Sequence, residues 1–320
     1  MAAVTADVLA DEVTGVANGE TVAKVLATPA HVEYLLHLAD NALVLGQRNA
    51  EWCGHGPVLE EDIAMANISV DLIGQARMLY QHVAALDPQG TGLCGRSASR
   101  EYPPSITEDT LAYFRDAPEF RNFTLLELPH SVTADGEEGG ARDYAVTIVR
   151  NFFYSALMVL RWEALRQSTD AQLAAIAERS VKESRYHLRH SSDWLVRLGD
   201  GTPESHAKTQ AAWDHLLPYT LEFWTEFAIE KEVSAQGIGV ATASLHDVWQ
   251  TLVHSAAQEA TLTLPLAISA PGGPGGLPAT FPRSRVGAQD DARLGAHVGA
   301  VPQGKRGGHS PHLEPLLADM

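Results

Sequence analysis

The feature that most constrains the fold of this chain is a helical spacing of apolar residues that recurs in four separate segments. In the first segment, apolar or small residues lie three or four positions apart, at Leu35, Leu38, Ala42 and Leu45. An α-helix completes a turn every 3.6 residues, so this spacing places the four side chains on one side of a helix. The segment predicts a helix over about residues 32–49, which ends at the glycines and proline of "EWCGHGP".

Three further segments repeat this spacing. The second begins with three acidic residues that suit the positive end of a helix dipole, Glu60, Glu61 and Asp62. Its apolar side comprises Met65, Ile68, Leu72, Gln75 or Ala76, Leu79 and Val83. The third segment carries Ala145, Ile148, Phe152, Ser155, Val159 and Trp162. The fourth follows a break at "QSTD" and carries Leu173, Ile176, Ser180, Ser184, His187, Ser191 and Leu195.

Four long amphipathic helices joined in pairs predict an all-α, four-helix bundle. Additional C-terminal helices are expected at about 205–231 and 243–259, packed outside the bundle. We expect an N-terminal extension at 1–30, the helical bundle at 31–266, a Gly/Pro-rich flexible insert at 267–303 and a docked C-terminal tail at 304–320. The insert contains "APGGPGGLPATFPRSRVGAQ", which is too rich in Gly and Pro to bury a core.

Composition excludes several classes of partner. Among the 320 residues, 40 Asp and Glu stand against 23 Lys and Arg, and this net charge of −17 opposes nucleic-acid binding. The chain has no run of roughly 18 apolar residues that would span a membrane, and its beginning does not resemble a secretory signal. Two cysteines, Cys53 and Cys94, form no CxxC motif, as is usual in a reducing compartment. We therefore expect a cytoplasmic protein.

The middle of the bundle is where a metal site would lie. A bundle core binds two metal ions when two helices each supply a Glu and the other two each supply Glu-x-x-His. The inward positions at this level are Ala42, Leu72, Gln75, Ser155, Ser184 and His187. None of them is a carboxylate, so we expect no catalytic residue and no metal in this chain.

Two carboxylates lie close to these positions in sequence. Glu183 and Asp71 each stand one residue away from the inward side, about 100° around the helix, which places them on a flank. This favours a flank pair of Glu183 with His187, four residues on, over metal ligation. It also favours His187 as a core histidine with a hydrogen-bond partner.

Three separated stretches resemble a known family. "LADNALVLGQRNAEWCGHGPVLEEDIAMANISVDLIGQARMLY", "KESRYHLRHSSDWLVRLGDGT" and "GKRGGHSPHLEPLLADM" resemble, in this order, the C subunits of the bacterial ring 1,2-phenylacetyl-CoA epoxidases. The resemblance covers most of residues 31–266 and the last twenty residues. It implies a ferritin-like fold and a place in an NADPH-dependent multicomponent monooxygenase of phenylacetate catabolism.

The resemblance also implies partners and cofactors. A homologous catalytic A subunit would carry the di-iron centre and pair with this chain as a heterodimer or higher assembly. A small B subunit and a reductase with FAD and a 2Fe-2S cluster would complete the complex, which binds phenylacetyl-CoA. No cofactor is implied for this chain itself.

The A subunit's ligand pattern, anchored at Trp52, Pro57, Leu59 and the turn at 71–74, falls on positions already selected by spacing. The resemblance thus implies six vestigial metal-site positions: Ala42, Leu72, Gln75, Ser155, Ser184 and His187.

Three hypotheses about function follow. The first is a non-catalytic structural subunit that binds and stabilises the A subunit. The second is a self-sufficient di-iron oxidase with a shifted ligand set that includes Glu183, His187 and Asp71. The third is a ferritin-like binding module without an oxygenase partner.

Two surface features bear on partners. Extra apolar residues beside the third helix's inward side would serve an interface with another bundle, namely Phe153, Tyr154 and Leu157. Lys305 and Arg306 are a weak signal for contact with an acidic patch or a CoA phosphate.

Overall fold

The computed structural model describes residues 28–90, 103, 105–132, 142–225, 227–264 and 304–320. The expected extension at 1–30 and insert at 267–303 therefore lie almost wholly or wholly outside the described residues. The helices are α1 (Pro29–Ala50), α2 (Leu59–Leu86), α3 (Glu108–Tyr113), α4 (Thr124–Glu127), α5 (Tyr144–Leu165), α6 (Ala171–Gly199), α7 (Pro203–Leu216), α8 (Leu221–Trp224), α9 (Ala228–Ala235), α10 (His246–Glu259) and α11 (Leu313–Ala318). These described ranges contain no β-strand.

The four long helices α1, α2, α5 and α6 form the predicted bundle. α1 packs along α2, α5 packs along α6, and contacts between α2 and α6 join the two pairs. Local signals fix where the helices begin: the Thr28 side chain accepts a hydrogen bond from the backbone N–H of His31, and the Asp170 carboxylate caps α6 in the same way. The all-α fold predicted from the helical spacing is confirmed.

Gly46 allows α1 and α2 to approach closely. A Cβ at this position would lie 3.1 Å from Ile73 Cγ1 and 3.3 Å from the carbonyl oxygen of Ser69 on α2. α4 and α9 cover other sides of α1. Consequently nearly every residue of α1 is buried, including its polar ones.

The region expected as one helix at about 205–231 is divided. α7 ends at Leu216, a 3-10 turn spans Leu217–Thr220, and the short helices α8 and α9 follow. Pro218 accounts for the break, because its ring removes a backbone N–H and clashes with the preceding turn of a helix. α7 and α10 pack against α5 and α6, outside the bundle as predicted.

The prediction that Phe153, Tyr154 and Leu157 form a surface for another bundle is wrong. All three residues are buried within this chain. The Phe153 ring lies 4.7 Å from Trp213 of α7 and 6.0 Å from Trp249 of α10, measured between ring centroids. The additional helices therefore cover the side of α5 that the sequence left unexplained.

Residues 304–320 lie against α4, α8 and α9. The backbone N–H of Lys305 donates to Glu222 Oε1 at 2.9 Å, and its Nζ lies 3.2 Å from Glu230 Oε2. His309 Nδ1 lies 3.0 Å from Glu127 Oε2. Because Lys305 is buried, it has no access to a CoA phosphate.

None of the described helices has the length and apolar content that a membrane crossing requires.

Candidate functional site

The structure places all six predicted positions in the interior of the bundle. Their side chains come from all four long helices, and each residue is between 1% and 3% exposed: Ala42, Leu72, Gln75, Ser155, Ser184 and His187. Burial at these positions agrees with the helical spacing of the sequence. Whether they are remnants of a metal site stays a prediction.

The two polar groups with the longest side chains among these positions have partners on the facing helix. His187 Nε2 lies 3.1 Å from Asp71 Oδ2, and Gln75 Nε2 donates to Glu183 Oε2 at 2.9 Å. Arg179 donates to the other oxygen of Glu183 at 3.2 Å. The expected pair of Glu183 with His187 is therefore wrong, because each side chain reaches across to α2. The expectation that His187 is a core histidine with a hydrogen-bond partner agrees with this geometry.

The six positions do not fit a di-iron centre. Together they offer one imidazole, one amide, two hydroxyls and two aliphatic side chains. Two iron ions in a bundle core need several carboxylates for charge neutralisation and bridging. The imidazole of His187 and the amide of Gln75 are also already engaged in hydrogen bonds across the α2–α6 contact.

The shifted ligand set gains no support from the described part of the chain. There, one group of three ligand-type side chains brings its ligating atoms within 4.8 Å of one another, and it consists of His31, His82 and Asp170. Asp71, Glu183 and His187 are not part of it. The flank carboxylates therefore do not assemble a metal-binding group with His187.

Sequence reasoning missed the cluster of His31, His82 and Asp170. His31 and His82 lie 139 and 88 positions before Asp170, so no local spacing joins the three residues. The one available signal was "STD" ahead of α6, which predicts Asp170 as a helix cap but says nothing about its neighbours.

Two further sets of buried ionisable groups in the described part of the chain form ion pairs. Arg115 and Asp40 form a buried ion pair, and Tyr80 donates to Asp40 Oδ1 at 2.6 Å. Burial raises the pKa of Tyr80 well above its usual value, and the charge of Asp40 adds to this effect. Arg161 Nη2 lies 2.7 Å from Glu230 Oε1. These contacts tie α1 and α5 to the segments around them, and they leave no poised acid or base among these residues.

Comparison with known proteins adds two findings. The family described as phenylacetic acid catabolic protein matches residues 15–275. The C subunit of the 1,2-phenylacetyl-CoA epoxidase of Escherichia coli strain K12 is 38% identical over 288 residues, which cover 90% of this chain and 93% of that protein.

Proposed function

Because this chain belongs to the phenylacetic acid catabolic protein family, we propose that it is a non-catalytic subunit of a phenylacetyl-CoA epoxidase complex, where it binds and stabilises a homologous catalytic A subunit. The single observation that carries this proposal is the interior of the bundle. Its six central positions are buried and offer no carboxylate. A ferritin-like bundle of this kind keeps the shape of an oxygenase without the residues that would hold iron.

The physical reason for these substitutions supports the same conclusion. Several carboxylates without a cation would repel one another in a poorly solvated core, at a cost of several kcal/mol per unpaired charge. A subunit that does not bind iron is therefore more stable with small or neutral residues there. Ala42, Leu72 and the two serines meet this requirement. Gln75 and His187 are hydrogen-bonded to flank carboxylates, Glu183 on α6 and Asp71 on α2.

The reaction then belongs to the complex. One oxygen atom is added across the aromatic ring of phenylacetyl-CoA as an epoxide, and reductant converts the other to water. The A subunit would supply the di-iron centre, and a reductase with FAD and a 2Fe-2S cluster would supply electrons from NADPH. A small B subunit would complete the assembly, and this chain's role would be to hold the catalytic bundle in its active shape.

The location of the complex is a further part of the proposal. A cytoplasmic location is supported by the acidic composition and by cysteine usage. Neither nucleic acid nor a membrane is proposed as a partner.

Iron content tests the proposal against a self-sufficient oxidase. The chain is expressed alone with iron supplementation, purified, and analysed by elemental mass spectrometry. We expect well below one iron per chain, because the six positions lack carboxylates. About two irons per chain would instead support the oxidase hypothesis.

Assembly tests the proposal against a free-standing binding module. The chain is mixed with its catalytic homologue and passed over a size-exclusion column, and epoxidation by the mixture is measured with reductase and NADPH. We expect co-elution and activity only in the mixture. Separate elution of the two chains would contradict the proposal.

A further inference from the structure

A second polar centre lies at one end of the bundle, away from the six central positions. It forms where α1 begins, α2 ends and α6 begins. Asp170 Oδ2 lies 2.8 Å from His31 Nε2 and 2.6 Å from His82 Nε2. His31 precedes Ala42 by eleven residues on α1, which is about 16 Å along the helix axis at 1.5 Å per residue. This centre is therefore separate from the predicted vestigial site.

The carboxylate at this centre is held in place by the helix that follows it. Asp170 Oδ1 accepts hydrogen bonds from the backbone N–H groups of Gln172 at 3.0 Å and Leu173 at 3.1 Å. These bonds fix the carboxylate plane and leave Oδ2 for the two imidazoles. The carboxylate is thus a fixed anion between two nitrogen ligands.

A cleft opens beside this cluster. It has a volume of about 330 Å³ and is lined by Met78, Gln81, His82, Ala85 and Gln172. His31 and Asp170 are buried, whereas His82 is partly exposed and belongs to the lining. The cleft thus reaches the cluster at His82, which gives an ion a route of entry and leaves room for a water ligand.

We propose that His31, His82 and Asp170 bind one divalent transition-metal ion, for which Zn²⁺ is the best match. Two imidazoles, one carboxylate and one water form a common tetrahedral zinc set, whereas Mg²⁺ and Ca²⁺ prefer oxygen ligands throughout. Tetrahedral ligands at about 2.0 Å from zinc lie about 3.3 Å apart, so the two separations between Asp170 Oδ2 and the imidazole nitrogens need to widen by less than about 1 Å. The ion would join α1, α2 and α6, and with them the two helix pairs of the bundle.

One feature of the cluster sets the expected strength of binding. His31 Nδ1 is buried and has no hydrogen-bond partner. Coordination through Nε2 places the ring proton on Nδ1, where most metal-bound histidines find an acceptor. The lack of an acceptor for this N–H should weaken zinc binding by about 10- to 100-fold relative to a site whose histidines are all supported.

The full-length chain, stripped of metal with a chelator, provides the test. Zn²⁺ is titrated by calorimetry, and Co²⁺ is titrated by visible absorption, because tetrahedral Co²⁺ gives intense bands that octahedral Co²⁺ does not. We expect one site per chain with tetrahedral bands. At a free Zn²⁺ concentration about 100-fold above Kd, the Tm should rise by about 5 °C.

Matched variants separate this site from other histidines. His82→Ala removes a ligand and should weaken zinc binding by more than about 100-fold. The loss of a mere supporting hydrogen bond to a metal ligand costs up to roughly 100-fold. Asp170→Asn should do the same, while Asn still caps α6. His190→Ala is the control: His190 Nε2 lies 2.9 Å from Glu61 Oε2 on the same α2–α6 contact but outside the cluster.

The outcomes are distinct. Zinc binding that is lost in His82→Ala and Asp170→Asn and kept in His190→Ala supports the site. Absence of a one-to-one titration in the wild-type chain, or equal loss in His190→Ala, would overturn it and leave a hydrogen-bonded His–Asp–His cluster. The iron measurement and the assembly experiment do not depend on zinc binding. A negative zinc titration would therefore leave the proposed function unaffected.

Discussion

His130 illustrates how a single buried side chain in this protein is held in one protonation state. Its Nε2 lies 2.8 Å from the carbonyl oxygen of Arg48, which only accepts, so Nε2 carries the proton. Its Nδ1 is then unprotonated and accepts from Thr147 Oγ1 at 2.6 Å, and this hydroxyl accepts in turn from Trp52 Nε1 at 2.8 Å. Burial, together with the charge of Arg150, lowers the pKa of His130 well below 6.5. The neutral ring is therefore built into the fold.

We predict that the chain loses stability in mild acid. Burial is the main cause of a lowered pKa at four histidines, His37, His130, His215 and His312. For His215 the pKa falls to about 4. Below about pH 6.5 the unfolded chain binds protons at these residues and the folded chain does not. The free energy of unfolding therefore decreases as pH falls, by up to about 1.4 kcal/mol per pH unit for each histidine. Urea unfolding between about pH 7.5 and about pH 5 measures this slope.

Two variants serve as opposite controls. His130→Gln should reduce the loss of stability in acid, because one lowered pKa is removed. Burial lowers the pKa of His309, but the hydrogen bond and the charge of Glu127, together with the hydrogen bond to the Phe120 carbonyl, raise this pKa above its usual value. The stabilisation by His309 is therefore present below about pH 6.5 and is lost as pH rises through the raised pKa. His309→Gln should therefore make the loss in acid steeper. The same slope in all three proteins would contradict the prediction.

The residues predicted from sequence and those missed differ for a physical reason. Burial repeats with the helical period, so spacing alone selected Ala42, Ser184 and His187 as inward positions. Partners across helices depend on how far α2 is shifted along α6, which no local pattern records. For that reason the contact of His187 with Asp71 was not predicted, although a partner for His187 was expected.

At the scale of elements, residues 304–320 complete the hydrogen bonding of buried carboxylates. Glu222 accepts from the backbone N–H groups of Lys305 and Thr124, each at 2.9 Å. Glu127 Oε1 accepts from the backbone N–H of Ser310 at 2.6 Å. Burial raises the pKa of Glu222. Without this C-terminal segment, both carboxylates would lose donors that offset the cost of burying them.

Gly304→Ala should detach this segment. A Cβ at Gly304 would lie 2.2 Å from the carbonyl oxygen of Asn122 and 2.9 Å from the backbone nitrogen of Thr124, so the backbone must move away. We expect a loss of about 1–3 kcal/mol, as for other buried groups left without a hydrogen-bond partner. Hydrogen exchange at the amides of Lys305 and Ser310 should become faster, and proteolysis should cut this segment.

Gly74→Ala is the matched control for this experiment. Gly74 lies within α2, and apart from its chain neighbours and the backbone of its own helix no atom lies within 4 Å of a Cβ built there. Alanine there should be neutral or stabilise the helix by up to about 1 kcal/mol. Unchanged protection of the amides of Lys305 and Ser310 in Gly304→Ala would show that the close contact at Asn122 does not hold the segment.

At the scale of the whole molecule, the additional helices decide which surface is left for a partner. α4 and α9 contact α1, α7 and α10 cover α5, and α3 contacts α2, which still has an outward face among the described residues. That face carries Leu59, Ile63 and Val70, which are 72%, 53% and 67% exposed. Four and seven residues separate them, so they lie on one side of the helix. The sequence placed the interface on α5 because the covering helices cannot be positioned from helical spacing alone.

We predict that the catalytic A subunit of the proposed complex binds this face of α2. An exposed apolar row of this kind is typical of a contact between proteins, and a carboxylate placed in its centre would have to lose its water on binding. Ile63→Glu and Val70→Glu should each weaken the complex by about 2–4 kcal/mol, the range of central interface residues. Size-exclusion chromatography with the A subunit and a titration calorimetry measurement give the affinity.

Val248→Glu provides the comparison on another surface. Val248 is 54% exposed and lies on α10, so the same change of charge is made at a similar exposure away from α2. This variant should bind the A subunit as the unaltered chain does, and thermal unfolding should show that all three variants remain folded. A contact on α2 must be weakened by changes on α2 and not by the same change on α10. The A subunit therefore does not bind α2 if Ile63→Glu and Val70→Glu bind it normally, or if Val248→Glu weakens binding equally.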